Sequence, residues 1–325
     1  MRKFSLIIPV YNRPDEVDEL LQSLVNQSYT DFETIIIEDG SSVKCQDIAE
    51  KYSDILTIRY YFRENVGQGF ARNFGFSVAK GDYFIVFDSD VVVPKDYLKI
   101  VNQSLDNQWL DAFGGPDAAS PDFSDLQKAI SYSMTSFFTT GGIRGKEKGI
   151  GKFQPRSFNM GISPETFRKT GGFAKRDMGE DVEFSLRMEK LNLKVGLIAD
   201  AYVYHKRRGD FKDFFKQIFS FGRTRILLSQ YDPKILKAVH FFPMIFTLGC
   251  ISIPFWYFIS KPILIFSIII LLIYVILNFT DSTLKNKSIK VGLLSVIAVF
   301  VQLFAYGLGF ISEGLKKRST GLLPV

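Results

Sequence analysis

The chain has 325 residues, enough for one large soluble domain and an appendage, and its composition changes sharply near residue 240. Its formal net charge is +6, and residues 205–240 carry this whole excess as nine Lys or Arg against three Asp. No nucleic-acid recognition motif accompanies this basic stretch, so we expect no nucleic-acid partner. Cys45 and Cys250 lack the spacing of a metal site, and we expect both to be reduced thiols.

Short apolar runs alternate with amphipathic stretches through the first 110 residues. The predicted strands are residues 4–10, 34–37, 55–62 and 83–87, and the predicted helices are residues 15–27 and 68–79. This alternation predicts an α/β fold in which a mainly parallel sheet is covered by helices. Asn12, Arg13 and Pro14 interrupt the opening apolar run before it could serve as a signal peptide, so we expect the first domain to stay in the cytoplasm.

Three polar clusters follow the predicted strands at the points where these end. They are Tyr11-Asn12-Arg13, Glu38-Asp39-Gly40-Ser41 and Asp88-Ser89-Asp90. Because ligands bind beyond the carboxyl ends of strands in open sheets, we expect these clusters to converge. In the third cluster, two carboxylates leave a buried strand together, which suits Mg²⁺ or Mn²⁺ and indicates a metal-bound diphosphate as ligand.

The chain beyond the predicted sheet first becomes rich in Ser, Thr and Gly, over residues 117–151. We expect this segment to form a mobile excursion over the site. Gly179-Glu180-Asp181 then opens a predicted amphipathic helix at residues 182–191, and acidic residues in its first turn suit the helix dipole.

Sugar transfer from a nucleotide diphosphate needs a base pocket, a cation at the departing diphosphate and a carboxylate that takes the acceptor proton. The three clusters and the acidic helix start could supply these parts. Together with a glycine-containing segment, they resemble the motifs of family 2 glycosyltransferases of the GT-A fold over roughly residues 4–225. The matching segments are Ile8-Pro9-Val10-Tyr11-Asn12-Arg13, Glu38-Asp39-Gly40-Ser41-Ser42, Asn65-Val66-Gly67-Gln68-Gly69-Phe70-Ala71-Arg72-Asn73, Phe87-Asp88-Ser89-Asp90 and Gly179-Glu180-Asp181.

The resemblance implies a role for each matching residue. Asp181 would be the general base, beside Glu180. Asp88 and Asp90 would bind the cation, with Asp90 as the more direct ligand. The mechanism implied is a single inverting displacement at the anomeric carbon. The residues assigned to nucleotide-sugar binding are Pro9, Tyr11, Asn12, Asp39, Asn65, Gly67, Arg72, Asp88, His205, Gln217 and Arg223.

Each assignment has a structural alternative. Tyr11 could pack a strand end, Glu38-Asp39-Gly40-Ser41 could be a simple turn, and Arg72 could be a cation on a helix surface. Glu180 and Asp181 could merely cap a helix. A dinucleotide motif at Gly67 is excluded, because Arg72 stands where its third glycine belongs and the motif belongs after the first strand.

A basic, aromatic segment follows at residues 205–237 and is expected to lie at a membrane surface. The resemblance adds roles for His205, Gln217 and Arg223 beside the diphosphate, as in membrane-bound relatives that build exopolysaccharide. Polymerising relatives carry Gln-x-x-Arg-Trp, whereas here Gln217 is followed by Ile-Phe-Ser-Phe and the first arginine is Arg223. We therefore expect addition of one sugar rather than processive synthesis. Glu38 also departs from the usual Asp-Asp-Gly-Ser pattern.

Three apolar runs follow, at residues 238–259, 262–279 and 291–311, each near the length of about 20 residues that a spanning helix needs. They predict a multi-pass protein of the cell membrane, with a cytoplasmic catalytic domain at residues 1–204, two to three transmembrane helices within residues 238–315 and a tail at 316–325. Three spans would export Lys316-Lys317-Arg318, and a re-entrant first run would export the loop with Lys285, Lys287 and Lys290. The charges leave both arrangements open.

The expected acceptor is a lipid-linked saccharide, such as a polyprenyl-diphosphate-linked one, used in assembly of a bacterial surface polysaccharide. Membrane lipids and a UDP- or GDP-linked sugar are the other expected partners. Two alternatives remain open: a transferase that passes its sugar to polyprenyl phosphate itself, and a non-catalytic, nucleotide-binding scaffold of a glycan synthase complex.

Overall fold

The computed structural model describes residues 2–118, 120, 122–140, 153–175, 177–230 and 233–320. Their contacts divide the chain into two compact units. The first unit comprises Met1–Ser120 and Glu147–Lys206, and the second comprises Pro121–Lys146 and Arg207–Val325. Residues 119, 121 and 141–151 of the expected mobile excursion lie outside the described residues.

The first unit contains all the described strands. They are β1 (Phe4–Val10), β2 (Phe32–Asp39), β3 (Ile58–Arg63), β4 (Tyr83–Phe87), β5 (Val91–Val92), β6 (Ala112–Gly114), β7 (Asp117–Ala118), β8 (Asn159–Ile162), β9 (Val195–Leu197) and β10 (Val203–His205). The helices of the chain are α1 (Pro14–Val25), α2 (Gln46–Lys51), α3 (Gln68–Val78), α4 (Tyr97–Asn107), α5 (Asp125–Thr135), α6 (Phe137–Thr140), α7 (Pro164–Thr170), α8 (Glu180–Lys190), α9 (Phe211–Ser229), α10 (Phe242–Ile259), α11 (Lys261–Asn286) and α12 (Ile289–Thr320).

The main sheet has seven strands in the order β3-β2-β1-β4-β8-β6-β9. The pairs β1–β2, β1–β4, β2–β3 and β6–β9 are parallel, and only β8 runs antiparallel to its neighbours. This confirms the predicted mainly parallel α/β sheet. A second sheet, β5-β10-β7, lies beside it and brings His205 opposite Val91.

Helices cover both faces of the main sheet, which explains why its central strands are continuously apolar. Leu6 and Ile8 of β1 pack into one core cluster with Leu20 of α1, and Ile7 packs into the other cluster with Phe76 of α3. β2 is longer than predicted because its polar end residues also pair with β3. β3 begins later than predicted, because residues 52–55 form a turn after α2 and residues 56 and 57 belong to no strand.

The second unit is helical, and α12 packs against α5, α9, α10 and α11. The predicted amphipathic segment forms α9, whose Phe214, Ile218, Gly222 and Ile226 are buried. α5 was missed, because its Ser- and Thr-rich sequence resembles a loop. Three helical segments are long and apolar enough to cross a membrane, namely Ala238–Ile259, Lys261–Asn286 and Ile289–Lys316, which agrees with the three predicted apolar runs.

Two glycines allow α9 and α12 to cross at close range. A side chain at Gly222 would strike the backbone carbonyl of Tyr306, and one at Gly309 would strike that of Phe219. We expect Gly309→Ala to lower the unfolding midpoint of the purified protein, because overpacking of a tight contact costs about 1–3 kcal/mol. Gly314→Ala is the matched control on the same helix, since no atom lies within 4 Å of the added carbon. Equal unfolding midpoints for the two variants would contradict the close crossing.

Candidate active site

The ends of β1 and β2 are tied together by hydrogen bonds. Asn12 adopts a left-handed backbone conformation with φ of 53°, which Asn tolerates better than most residues. Its backbone N–H donates to Ser41 Oγ at 2.8 Å, and its Oδ1 accepts from Ser42 Oγ at 3.0 Å and Val43 N at 2.9 Å. The first two polar clusters therefore converge, as predicted.

Glu38 anchors the loop that follows β2. Its buried carboxylate accepts hydrogen bonds from Ser41 Oγ, from Cys45 N at 2.7 Å and from the Tyr60 hydroxyl at 3.3 Å. Burial and the charge of Glu38 raise the pKa of Tyr60. Glu38, which replaces the usual aspartate, thus directs its longer side chain back onto its own loop. Its carboxylate is engaged in hydrogen bonds within the protein.

Asp39 binds the loop between β3 and α3. Its Oδ1 accepts from Val66 N at 2.8 Å and its Oδ2 from Gly67 N at 2.9 Å, while its backbone carbonyl accepts from Asn65 Nδ2 at 2.9 Å. Gly40 has a φ of 76°, and a side chain there would lie 2.7 Å from Asn65 N. The loop after β2 and the glycine-containing segment that begins at Asn65 are therefore joined at the edge of the sheet.

Asp90 is the most enclosed carboxylate after β4. Arg13 Nη1 lies 2.5 Å from its Oδ2, and His205 Nε2 lies 3.2 Å from its Oδ1. The His205 ring stacks on Phe158, with ring centroids 4.8 Å apart. Burial alone would raise the pKa of Asp90, but His205 and Arg13 outweigh burial and hold this pKa below its usual range.

Asp88, Asp90 and His205 form a group that could hold a divalent cation. Their ligand atoms all lie within 4.8 Å of one another. Within the described ranges, His205 Nδ1 is buried without a hydrogen-bond partner, while Asp90 Oδ1 has the contact with His205 Nε2 at 3.2 Å but no hydrogen bond of good geometry. Buried polar atoms are seldom left unpaired, so His205 Nδ1 indicates a missing partner and Asp90 Oδ1 can accept a further one. Carboxylate oxygens with an imidazole nitrogen are a donor set that fits a metal such as Mn²⁺.

Arg72 connects this carboxylate group to the start of α8. Its Nη2 lies 2.7 Å from Asp88 Oδ1, and its Nη1 lies 2.9 Å from Glu180 Oε1. The side chain is fully buried, over the ring of Phe173. Burial would lower the pKa of Arg72, but the two carboxylates outweigh it and raise this pKa. The alternative of a surface cation is therefore wrong.

Glu180 and Asp181 are neighbours in sequence with different surroundings. Glu180 is buried and accepts from Gln68 Nε2 at 2.8 Å as well as from Arg72, and burial raises the pKa of Glu180. The Asp181 side chain retains 17% exposure, lies 3.0 Å from Arg156 Nη1 and accepts from Val182 N at 2.8 Å. Of the two, Asp181 is the carboxylate that a ligand can reach.

The structure places the remaining predicted site residues as follows. Tyr11 is 53% exposed at the end of β1, and Pro9 pairs with Ile37 within the sheet. Gln217 and Arg223 lie on α9 in the second unit, where Arg223 Nε is 2.7 Å from Glu313 Oε2. The ligand roles of all four residues stay predictions.

Three residues of the site were not assigned from the sequence. Arg13 belongs to a recognised motif, yet only the folded chain shows that it reaches Asp90. Arg156 and Phe158 lie in an irregular segment before β8, where neither periodicity nor spacing indicates contact with Asp181 or with the histidine ring.

We expect Asp90→Ala to weaken nucleotide binding in the presence of Mn²⁺ by at least about 10–100-fold, because loss of a direct ligand should cost no less than loss of a residue that only orients a ligand. Calorimetric titration with UDP and GDP measures this change. Asp106→Ala is the control, because Asp106 is a surface carboxylate paired with Arg2. An unchanged manganese dependence in Asp90→Ala would refute the assignment of Asp90 as a ligand.

A mainly parallel sheet with paired carboxylates beyond its fourth strand and an acidic helix start defines a GT-A type of fold. Residues 5–167 match the family described as Glycosyl transferase family 2, and the chain belongs to this family. The similarity of sequence and structure to known proteins agrees with this membership.

Two curated relatives illustrate the similarity of sequence. The uncharacterized glycosyltransferase YibD of Escherichia coli K12 is 36% identical over 107 residues, which is 32% of this chain and 31% of YibD. The poly(ribitol-phosphate) beta-N-acetylglucosaminyltransferase TarS of Staphylococcus aureus is 34% identical over 115 residues, which is 34% of this chain and 20% of TarS. The chain thus spans less than a third of the length of either relative.

Solved structures share the fold. The mannosyltransferase PcManGT of Pyrobaculum calidifontis, in complex with GDP-Man and Mn²⁺, has a TM-score of 0.65 at 14% identity and covers 92% of this chain and 87% of its own. TarS residues 1–349 with UDP-GlcNAc have a TM-score of 0.53 at 19% identity and cover 97% and 92%. At these identities the likeness concerns the fold alone.

Proposed function

We propose that this protein is a membrane-anchored, metal-dependent, inverting glycosyltransferase that moves a sugar from a UDP- or GDP-linked donor to a lipid-linked saccharide. The observation that carries this proposal is the group of Asp88, Asp90 and His205, whose ligand atoms lie within 4.8 Å of one another and which Arg72 joins to the acidic start of α8. The neighbours crystallised with GDP-Man and Mn²⁺ and with UDP-GlcNAc support a nucleotide-sugar donor.

Asp88, Asp90 and His205 would hold the cation, with Mg²⁺ or Mn²⁺ as candidates. When bound, such an ion neutralises charge that develops on the departing diphosphate. Arg13 and Arg72 already neutralise one oxygen of each aspartate. The remaining oxygens are therefore the ones available to a ligand, and Tyr11, Asn12, Asp39, Asn65 and Gly67 would border the base and ribose.

Asp181 would take the proton of the acceptor hydroxyl. Val182 N and Arg156 fix the orientation of its carboxylate, while partial exposure leaves it open to the acceptor. The acceptor oxygen attacks the anomeric carbon, the bond from that carbon to the diphosphate breaks, and the configuration inverts. Glu180 would not take the proton itself, because its carboxylate accepts hydrogen bonds from Arg72 and Gln68. It would instead hold Arg72 and the start of α8 in place.

The apolar helices of the second unit support the proposed class of acceptor. A catalytic domain at residues 1–204, attached through the basic segment at 205–237 to a membrane region at 238–315, would meet a lipid-linked acceptor at the cytoplasmic surface of the cell membrane. Confining both reactants to one surface raises their effective concentration. Assembly of a surface polysaccharide, by addition of one sugar, would use such an enzyme.

The direct test incubates membranes that contain the protein with a panel of UDP- and GDP-linked sugars and measures release of the nucleoside diphosphate. We expect one donor to be consumed, with labelled sugar in the lipid extract, and a chelator to stop the reaction. Membranes with Asp181→Asn provide the background. Release no faster than this background for every donor would favour the scaffold alternative, and equal transfer to a soluble, lipid-free oligosaccharide would refute the lipid-linked acceptor.

A further inference from the structure

The apolar surface of the second unit is concentrated on two of its three long helices. No residue between positions 248 and 277, along α10 and α11, is buried. At the end of α10, next to its connection with α11, Phe258 is 84% exposed and Ile259 is 71% exposed. Only 6% of the most apolar window of each of these helices is buried, against 44% for α12.

α12 is covered by helices that carry charges. α5 and α9 pack along it, and ion pairs lie near its two ends. Lys290 Nζ is 2.9 Å from Asp125 of α5, and Glu313 is 2.7 Å from Arg223 of α9. A membrane-spanning α12 would draw these charged helices into hydrocarbon, where ionised side chains are costly.

Two hydrogen bonds join α12 to the start of α10 and to the end of α11. Ser295 Oγ accepts from Ser282 Oγ at 2.7 Å near the end of α11, and the carbonyl of Leu303 accepts from Thr247 Oγ1 at 3.3 Å near the start of α10. Because no residue from 248 to 277 is buried, the connection between α10 and α11, at Ser260, lies at the exposed end of a helical hairpin, away from these two hydrogen bonds.

Length and charge suit insertion of this hairpin. α10 has 18 residues and α11 has 26, or about 27 Å and 39 Å at 1.5 Å per residue, against about 30 Å of hydrocarbon. Lys285 lies in the last turn of α11, Lys287 follows it and Lys290 lies in the first turn of α12, while Lys316 ends the described side chains of α12. Three spans would place these two groups of cations on opposite sides of the membrane, whereas a hairpin keeps both on the cytoplasmic side.

We infer that the α10–α11 hairpin is the part of the chain that inserts into the lipid bilayer, and that α12 stays on the side from which the hairpin enters. The occupant of the exposed apolar surface is thus lipid hydrocarbon. This inference rests on the membrane attachment proposed above. It replaces both arrangements that the sequence left open, three spans and a re-entrant first run, each of which exports a group of cations.

Cysteine labelling tests the inference on the full-length protein. In a background with Cys45 and Cys250 replaced by alanine, Ile289→Cys and Leu315→Cys report on the two ends of α12, and Lys99→Cys reports on the first unit. All three positions are exposed. A membrane-impermeant maleimide should label none of them in intact cells and all of them in permeabilised cells.

Labelling of Leu315→Cys alone in intact cells would overturn the inference in favour of three spans, and labelling of Ile289→Cys alone would do so in favour of a re-entrant α10. Extraction of the protein from membranes by alkaline carbonate would overturn it in favour of a surface covered by protein, such as a second copy. That last result would also refute the proposed attachment, whereas the labelling results would leave attachment and catalysis standing.

Discussion

Replacing Asp181 with asparagine should lower kcat by about 10²–10⁴-fold, the contribution typical of a general base, while leaving the Kd for nucleotide largely unchanged. Asparagine keeps an oxygen for the hydrogen bond from Val182 N but cannot take a proton from the acceptor. Steady-state transfer on membranes and calorimetric nucleotide binding measure the two quantities.

Glu183→Gln is the matched control for Asp181→Asn. Glu183 lies on the same helix and pairs with Arg187 at 2.9 Å, so its replacement changes the charge of α8 in the same way. We expect its kcat to stay close to that of the wild type. If Asp181→Asn loses nucleotide binding together with transfer, Asp181 acts in donor binding and the base must be sought elsewhere.

Arg72→Met should be among the most destabilising single substitutions in the first unit. It leaves the buried Glu180 carboxylate and one oxygen of Asp88 without their cation, and breaking a buried ion pair from one side costs about 3–5 kcal/mol. The free energy of unfolding, measured by denaturant titration of the purified protein, should fall accordingly. Cation binding should weaken as well, because Asp88 loses its orientation.

Arg168→Met tests whether any arginine would have this effect. Arg168 is exposed and pairs with Glu165 within α7, where a surface ion pair contributes little. The double variant Arg72→Met/Glu180→Gln should recover part of the lost stability, because the unpaired buried charge is then absent. Equal unfolding midpoints for Arg72→Met and Arg168→Met would show that Arg72 does not hold the network together.

The sheet could be predicted well because hydrophobic periodicity and strand ends are local signals. β1 and β4 have their predicted bounds, and the polar residues after β1 and β2 meet because parallel strands end at one edge. Arg72 was placed near the donor by family resemblance, whereas its full burial depends on Glu180, 108 residues later in the chain. Sequence spacing does not encode such a contact.

Other features depended on packing between distant segments. The sequence shows that Glu38 departs from the family pattern. Its three hydrogen bonds, however, need both the loop after β2 and the neighbouring strand β3. Arg156 reaches Asp181 from an irregular segment that has no periodic signal. For α12, the sequence shows an apolar helix, and only the packing of α5 and α9 shows how much of it is covered.

Asp88, Asp90 and His205 are proposed to bind a nucleoside diphosphate through a divalent cation. Calorimetric titration of purified protein with UDP and with GDP, first with Mn²⁺ and then with a chelator, tests this binding most directly. We predict that one of the two nucleotides binds with Mn²⁺ and that the chelator greatly weakens its binding. Failure of both nucleotides to bind, or binding that is equally tight with the chelator, would contradict a metal-dependent nucleotide site at these residues.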